Sequence, residues 1–217
     1  MSLTTPPLGP LLERLFSEAE APASPEARSA LRLSADRRAS TSTADYLEFY
    51  ARAKDVYLAV SRETARLLYM LVRATGARSI VEFGTSFGIS TLHLAAGLRD
   101  NRGGGLITTE FEPSKAARAR ENFAAGGLAD LIELREGDAV ETLARDLPER
   151  IDLVLLDGAK SLYPTVLTML EERLPPGALV VADNADSSPE YLQRVRATDA
   201  GYTSVPFGGD VELSMRN

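Results

Sequence analysis

Acidic and amide side chains recur in this sequence where short β-type runs end: Glu82, Glu110, Asp138, Asp157 and the pair Asp183-Asn184. Asp157, Asp183 and Asn184 are hard oxygen donors, and converging at adjacent strand ends they would suit Mg²⁺, Mn²⁺ or Ca²⁺ with octahedral positions left for water and substrate. The same residues admit a plainer use, with Asp183 and Asn184 in an Asx turn and Asp157 ending its strand. Glu110 offers two carboxylate oxygens to the two hydroxyls of a ribose. It could instead cap the helix that opens at Pro113, a task equally open to Glu112. Gly137-Asp138-Ala139 could read an adenine edge, or Asp138 could cap the helix that follows. Lys160, three residues after Asp157, is either a proton acceptor or a solvated surface lysine.

Between the first strand and the helix after it runs Glu82-Phe83-Gly84-Thr85-Ser86-Phe87-Gly88. Glycine lets the backbone turn tightly and come close to a ligand with no Cβ in the way. The spacing departs from GxGxxG, which disfavours a nicotinamide dinucleotide. A nucleoside ligand with a different fingerprint remains, since in open α/β sheets ligands bind beyond the carboxyl ends of the strands.

The elements that must position these groups follow from periodicity. Strands are expected near Ser79–Phe83, Leu106–Glu110, Leu131–Arg135, Leu153–Leu156 and Leu179–Ala182, with later ones near Tyr202–Val205 and Val211–Met215. Helical patterns lie between them, the signature of βαβ units and a mostly parallel sheet. Pro113 suits a first helical turn, Ser188-Pro189 a cap and first residue, and Ser61 the cap of a helix over Ser61–Ala74. Ahead of these, Leu11, Leu12, Leu15 and Phe16 share helical spacing in a Pro-, Ser-, Ala- and Arg-rich stretch to about Thr43, and Asp45–Lys54 follows. The expected organisation is an N-terminal helical segment, 1–57, on a main domain, 58–217. His93, the sole histidine, is expected to pack inside a helix.

Composition narrows the function. The 217 residues carry 31 acidic and 24 basic side chains, a formal net charge of −7, which argues against broad attraction to nucleic acid or anionic lipid. The chain contains no cysteine, which removes disulfides, thiolate metal sites and cysteine nucleophiles and fits a reducing cytoplasm. Prolines at 6, 7 and 10 interrupt any signal-like apolar run, and the longest apolar runs fall far short of the roughly 20 residues needed to span a bilayer. A soluble, cytoplasmic protein is expected.

Taken together, Val81–Ser90, Glu110, Gly137-Asp138-Ala139, Asp157-Gly158-Ala159-Lys160, Asp183-Asn184 and Gly209-Asp210 resemble the cation-dependent O-methyltransferases of the catechol and caffeoyl-CoA type, over about Leu58–Asn217. The resemblance implies a Rossmann-like class I methyltransferase fold of the α/β class, a seven-stranded mostly parallel sheet flanked by helices with N-terminal accessory helices. It implies S-adenosylmethionine as cofactor, with Val60, Ser61, Glu82, Gly84, Ser86 and Ser90 toward the methionine end. Glu110 would hold the ribose, Asp138 and Ala139 would lie along the adenine, and Asp157 would neighbour the cofactor. Asp157, Asp183 and Asn184 would hold a divalent cation, most simply Mg²⁺, with Lys160 as general base and Asp157 as its catalytic partner. The implied acceptor is a small hydroxylated, catechol-like molecule, and the implied assembly a homodimer. Phe87, Tyr46, Tyr50, Tyr57 and Tyr163 are candidate walls for an aromatic acceptor, although aromatics at helical spacing more often form core. Two other functions compete: methylation of a tRNA wobble uridine, disfavoured by the acidic balance, and a cofactor-binding module without catalysis, disfavoured by the presence of all three ligands with Lys160.

Overall fold

The computed structural model describes residues 3–21, 53–199 and 201–217. The expected helix at Asp45–Lys54 and the aromatics Tyr46 and Tyr50 fall wholly or largely outside them. Helix α1 (Leu8–Glu20) buries Leu11, Leu12, Leu15 and Phe16, the stripe its spacing predicts. Helix α2 (Arg62–Thr75) is capped by Ser61, whose side chain accepts from the Thr64 N–H, and ends at Gly76 in the left-handed conformation.

From there strands and helices alternate: β1 (Ser79–Phe83), α3 (Ile89–Asp100), β2 (Gly105–Glu110), α4 (Pro113–Ala125), β3 (Ile132–Glu136), α5 (Ala139–Thr142), β4 (Leu153–Leu156), α6 (Tyr163–Leu170), β5 (Leu179–Ala182), α7 (Pro189–Arg196), β6 (Tyr202–Phe207) and β7 (Val211–Arg216). They form one seven-stranded sheet in the order β3-β2-β1-β4-β5-β7-β6. The first five strands are parallel, and β7 runs antiparallel to both β5 and β6. This is the seven-stranded, mostly parallel α/β architecture of Rossmann-like type expected from the sequence. The strand order reverses direction between β1 and β4, the switch point where a crevice opens above the sheet.

Most strand bounds agree to within a residue, and three differences have a local physical cause. Leu131 closes a short 3₁₀ turn, so β3 begins one residue later. Strand β6 continues through Pro206 to Phe207, which an edge strand tolerates because its outer N–H groups need no ladder partner. Ser188 precedes Pro189 as expected, but its backbone (φ −131°, ψ 72°) leaves its hydroxyl making no capping bond.

The sheet is covered on both faces, which explains why Leu153–Leu156 and Leu179–Ala182 are apolar without alternation. Val81, Phe83, Val154, Leu156 and Val180 pack under α6 and α7 with Tyr163, Leu167 and Tyr191. Ile80, Leu106, Leu153, Leu155 and Val181 pack under α2 and α3 with Leu68, Val72, Leu94 and Leu98. Helix α1 adds an outer layer on α3 and α4 through Leu8, Leu12, Leu15, Leu92 and Phe123. Each such fully buried aliphatic side chain contributes about 1.5–3 kcal/mol. Wedged between sheet and outer helices, α3 is buried all round from Ile89 to Leu98, His93 included. His93 Nδ1 lies 2.8 Å from the Ile89 carbonyl and its ring meets Phe16 edge-on. Burial pushes its pKa down to about 4, so it packs as a neutral imidazole. Among the described residues no helix is long and apolar enough to cross a membrane.

Candidate active site

The parallel ladder continues one rung beyond the strand ends. Thr85 N–H donates to the Thr109 carbonyl, Asp157 N–H to Phe83, Asp183 N–H to Leu156 and Gly137 N–H to Glu110, at 2.8–3.0 Å. These rungs bring the turns after β1, β2, β3, β4 and β5 to one edge of the sheet. The close approach demands glycine twice. At Gly84 (φ +102°) a Cβ would lie 2.5 Å from the Asp157 carbonyl oxygen, and at Gly158 it would lie 2.4 Å from the Phe83 ring.

A pocket opens there, enclosing about 590 Å³ of space outside protein atoms, part of it open to solvent. Its apolar walls are Leu58, Phe83, Phe111, Ala139, Ala159 and Leu162, and its polar groups come from Ser86, Glu110, Lys115, Asp138 and Asp157. The Glu110 carboxylate is clamped: Oε2 accepts from Ser86 N–H at 2.8 Å and Oε1 from Glu112 N–H at 2.9 Å. Burial raises its pKa, opposed by the Glu112 amide and the Lys115 charge. The Ser86 hydroxyl is buried without a hydrogen-bond partner. Ser86 also holds a left-handed backbone (φ 50°), a costly conformation for a side chain with a Cβ.

Beside the pocket lies a cluster of charge. Lys160 Nζ donates to Asp157 Oδ1 at 3.0 Å and to the Tyr163 hydroxyl at 2.8 Å, and that hydroxyl donates to the Asp183 carbonyl at 2.8 Å. The carboxyls of Asp157 and Asp183 lie close enough for each to act on the other's ionisation. Burial raises both pKa values, and Asp183 is raised further by the neighbouring Asp157 charge. Asn184 holds the left-handed conformation (φ 48°), and its amide nitrogen donates to Asp210 Oδ2 at 2.8 Å.

The remaining expected site residues divide. Asp138 and Ala139 line the pocket, and Asp138 also caps α5 through Val140 N–H at 2.8 Å. Glu112 caps α4, freeing Glu110 from that task. Glu82 lies wholly buried beneath the glycine turn, outside the pocket lining, accepting from the hydroxyls of Ser90 (2.6 Å), Thr91 (2.5 Å) and Thr108 (2.6 Å). The Ser90 hydroxyl is therefore engaged by Glu82. Ser61 caps α2 and Val60 joins the core against α3, while Leu58 lines the pocket in their place. Phe87 packs against Tyr57 with ring centroids 4.3 Å apart and planes tilted by 42°, and Tyr163 is core. Leu58, Phe111, Lys115 and Leu162 have no place in the sequence-based expectations, and Tyr163, expected there as an acceptor wall, is instead the hydrogen-bond partner of Lys160. For Lys115 a signal existed: it lies one turn before Ala119 on the stripe that α4 buries.

Comparison with known proteins bears on the fold and the family. The model of the O-methyltransferase family matches residues 33–193. A catechol O-methyltransferase of Niastella koreensis is 33% identical over 130 residues, 58% of this chain and 58% of the relative. Five of the curated relatives are matched over only 56–64% of their own length, and three others over 66–81%. A Bacillus cereus O-methyltransferase solved with S-adenosylhomocysteine shares the fold at TM-score 0.67 and 22% identity, covering 95% of this chain and 97% of that one. A Streptomyces achromogenes O-methyltransferase solved with S-adenosylmethionine superposes at TM-score 0.66 with 26% identity, covering 94% and 95%. With about three quarters of its length matched by the family model, the chain belongs to the O-methyltransferase family.

Proposed function

We propose that the chain is an S-adenosylmethionine-dependent O-methyltransferase that acts on a small, catechol-like hydroxylated acceptor with divalent-cation assistance. The observation that carries this is the adjacency of two sites sharing Asp157: a strand-end pocket with a clamped acid, and a cluster of two carboxyls with a lysine.

The pocket fits the cofactor. Apolar walls suit an adenine, the lone pairs that Glu110 keeps free suit ribose hydroxyls, and the unpartnered Ser86 hydroxyl suits a polar ligand atom. The donor set also fits a hard cation. Neighbouring carboxyls raise each other's cost of ionisation, Lys160 offsets this at Asp157, and a cation held by carboxylate and amide oxygens would offset it for both. Asp157, Asp183 and Asn184 would hold that ion.

When bound, S-adenosylmethionine supplies a methyl group on a sulfonium, and the cation would make an acceptor hydroxyl more acidic. The chain's own residues do the rest. Glu110 and the glycine turn orient the donor, so that transfer becomes an in-line displacement between held partners. Lys160, fixed by Asp157 and Tyr163, takes the acceptor's hydroxyl proton when its amine is neutral. Phe83, Leu58 and Leu162 line the pocket with apolar surface that disfavours water beside the donor.

The test is methyl transfer from labelled S-adenosylmethionine to catechols, phenylpropanoids, flavonoids and bulk tRNA, with Mg²⁺, with Mn²⁺ and in EDTA. Transfer to a catechol-type hydroxyl that chelation abolishes is expected. Full turnover in EDTA would remove the cation from the reaction, and methylation confined to tRNA would move the acceptor to nucleic acid.

A further inference from the structure

Lys115 sits in the first turn of α4 and is only 2% exposed, among the largest fully buried side chains of the protein, yet it lines the pocket. Its ammonium lies 5.4 Å from the centroid of the Phe87 ring, and Tyr57 packs against that ring at a tilt. Among the described residues it makes no hydrogen bond and no ion pair within 4.0 Å. Glu110 is the strongest negative charge acting on it, followed by Glu112, Asp55 and Asp157. A buried ammonium held next to a carboxylate without touching it is an incomplete arrangement. Both groups are desolvated, and a direct bond would have relieved them.

The gap is chemically specific. Glu110 spends one lone-pair direction of each oxygen on the amides of Ser86 and Glu112 and has acceptor capacity left but no proton to give. Lys115 has three N–H donors and no acceptor. A vicinal diol needs both partners, since each hydroxyl donates one proton and also offers lone pairs. The unpartnered Ser86 hydroxyl, on the same wall, adds a second sign that a polar ligand completes this corner.

We propose that Lys115 is a ribose-binding residue of the cofactor pocket, donating to the ribose oxygens whose protons Glu110 accepts. The inference rests on the S-adenosylmethionine pocket proposed above and extends it to a cationic partner for the ribose. Lys115 thereby supplies the countercharge that lets a buried Glu110 stay ionised against the diol. Phe87, backed by Tyr57, holds the ammonium in place through its ring face.

Calorimetric titration of the wild-type protein, K115M and K115R with S-adenosylhomocysteine and with its 2′-deoxy and 3′-deoxy analogues tests this, thermal unfolding serving as the check on folding. K115M should bind S-adenosylhomocysteine about tenfold or more weakly, the size of a lost charge-assisted hydrogen bond. It should also lose most of the wild type's preference for the intact ribose over at least one deoxy analogue, and K115R should restore part of both. If K115M fails to fold, K115Q, which keeps donors without the charge, carries the same comparison. K115M or K115Q with wild-type affinity, or weakened while keeping the full penalty for both deoxy analogues, overturns the assignment. Absence of any binding by the wild-type protein instead overturns the cofactor reading itself.

Discussion

Glu82 provides a stringent test of the site's electrostatics, because it is a carboxyl with no exposed surface and three hydroxyl donors around it. Burial raises its pKa from an ordinary 4.5 to about 7, with the Ser90, Thr108 and Thr91 hydroxyls opposing the shift. A carboxyl whose folded pKa is raised contributes full stability below pH 4.5, and that contribution is lost as pH climbs through about 7. Each unit is worth 1.36 kcal/mol, so ionising Glu82 costs the native state about 3 kcal/mol above neutrality. At roughly 2–4 °C per kcal/mol for a chain of this size, the difference is roughly 6–12 °C. Glu82→Gln keeps the shape, and the hydroxyls can rotate to accept from its amide, so the variant should lack this pH dependence. His93 titrates in the opposite sense, its contribution lost as pH falls from 6.5 toward 4, and it does so equally in both proteins. The measurement is therefore the stability of wild type minus that of E82Q, by denaturant unfolding at intervals from pH 4.5 to 8.5. The difference should move in the variant's favour by about 3 kcal/mol between those limits. A difference that stays constant would show that three hydroxyls hold Glu82 ionised throughout, and the argument from burial would fail.

Other outcomes follow from the same geometry. Glu110→Ala should weaken S-adenosylhomocysteine binding by about 2 kcal/mol through lost charge-assisted hydrogen bonds, which isothermal calorimetry reads directly. Lys160→Ala should lower kcat by about 10² with cofactor affinity nearly intact, because a base acts on the chemical step; an unchanged kcat with saturating acceptor would make Lys160 a spectator. Ser61→Ala should cost about 1 kcal/mol in thermal or denaturant unfolding by removing the cap of α2. Gly158→Ala should lose activity and stability together, since its methyl would enter the Phe83 ring at the pocket wall.

Periodicity and chain punctuation made the strands legible. Apolar runs at Leu153–Leu156 and Leu179–Ala182 are buried on both faces, and the caps Ser61 and Glu112 with Pro113 mark helix starts by chemistry that acts over a few residues. The acids Glu110, Asp157 and Asp183 were legible for the same reason: a strand end is a local feature, and in a parallel sheet all such ends face one side. Which of those acids meet one another was a different matter. The pairing of β1 with both β2 and β4, strands separated by more than 40 residues, decided it, and no local pattern encodes that order. Tertiary packing also decided what each side chain does on arrival. Glu82 and Ser90 bond to each other beneath the turn, because the inward face of β1 meets α3 there. Lys115 enters the pocket because the stripe of α4 that packs inward carries it there, and a lysine read from sequence alone is assigned to solvent. The physical reason is range: propensity and capping act within a turn or a strand, whereas burial and charge pairing are set by neighbours that only the folded sheet supplies.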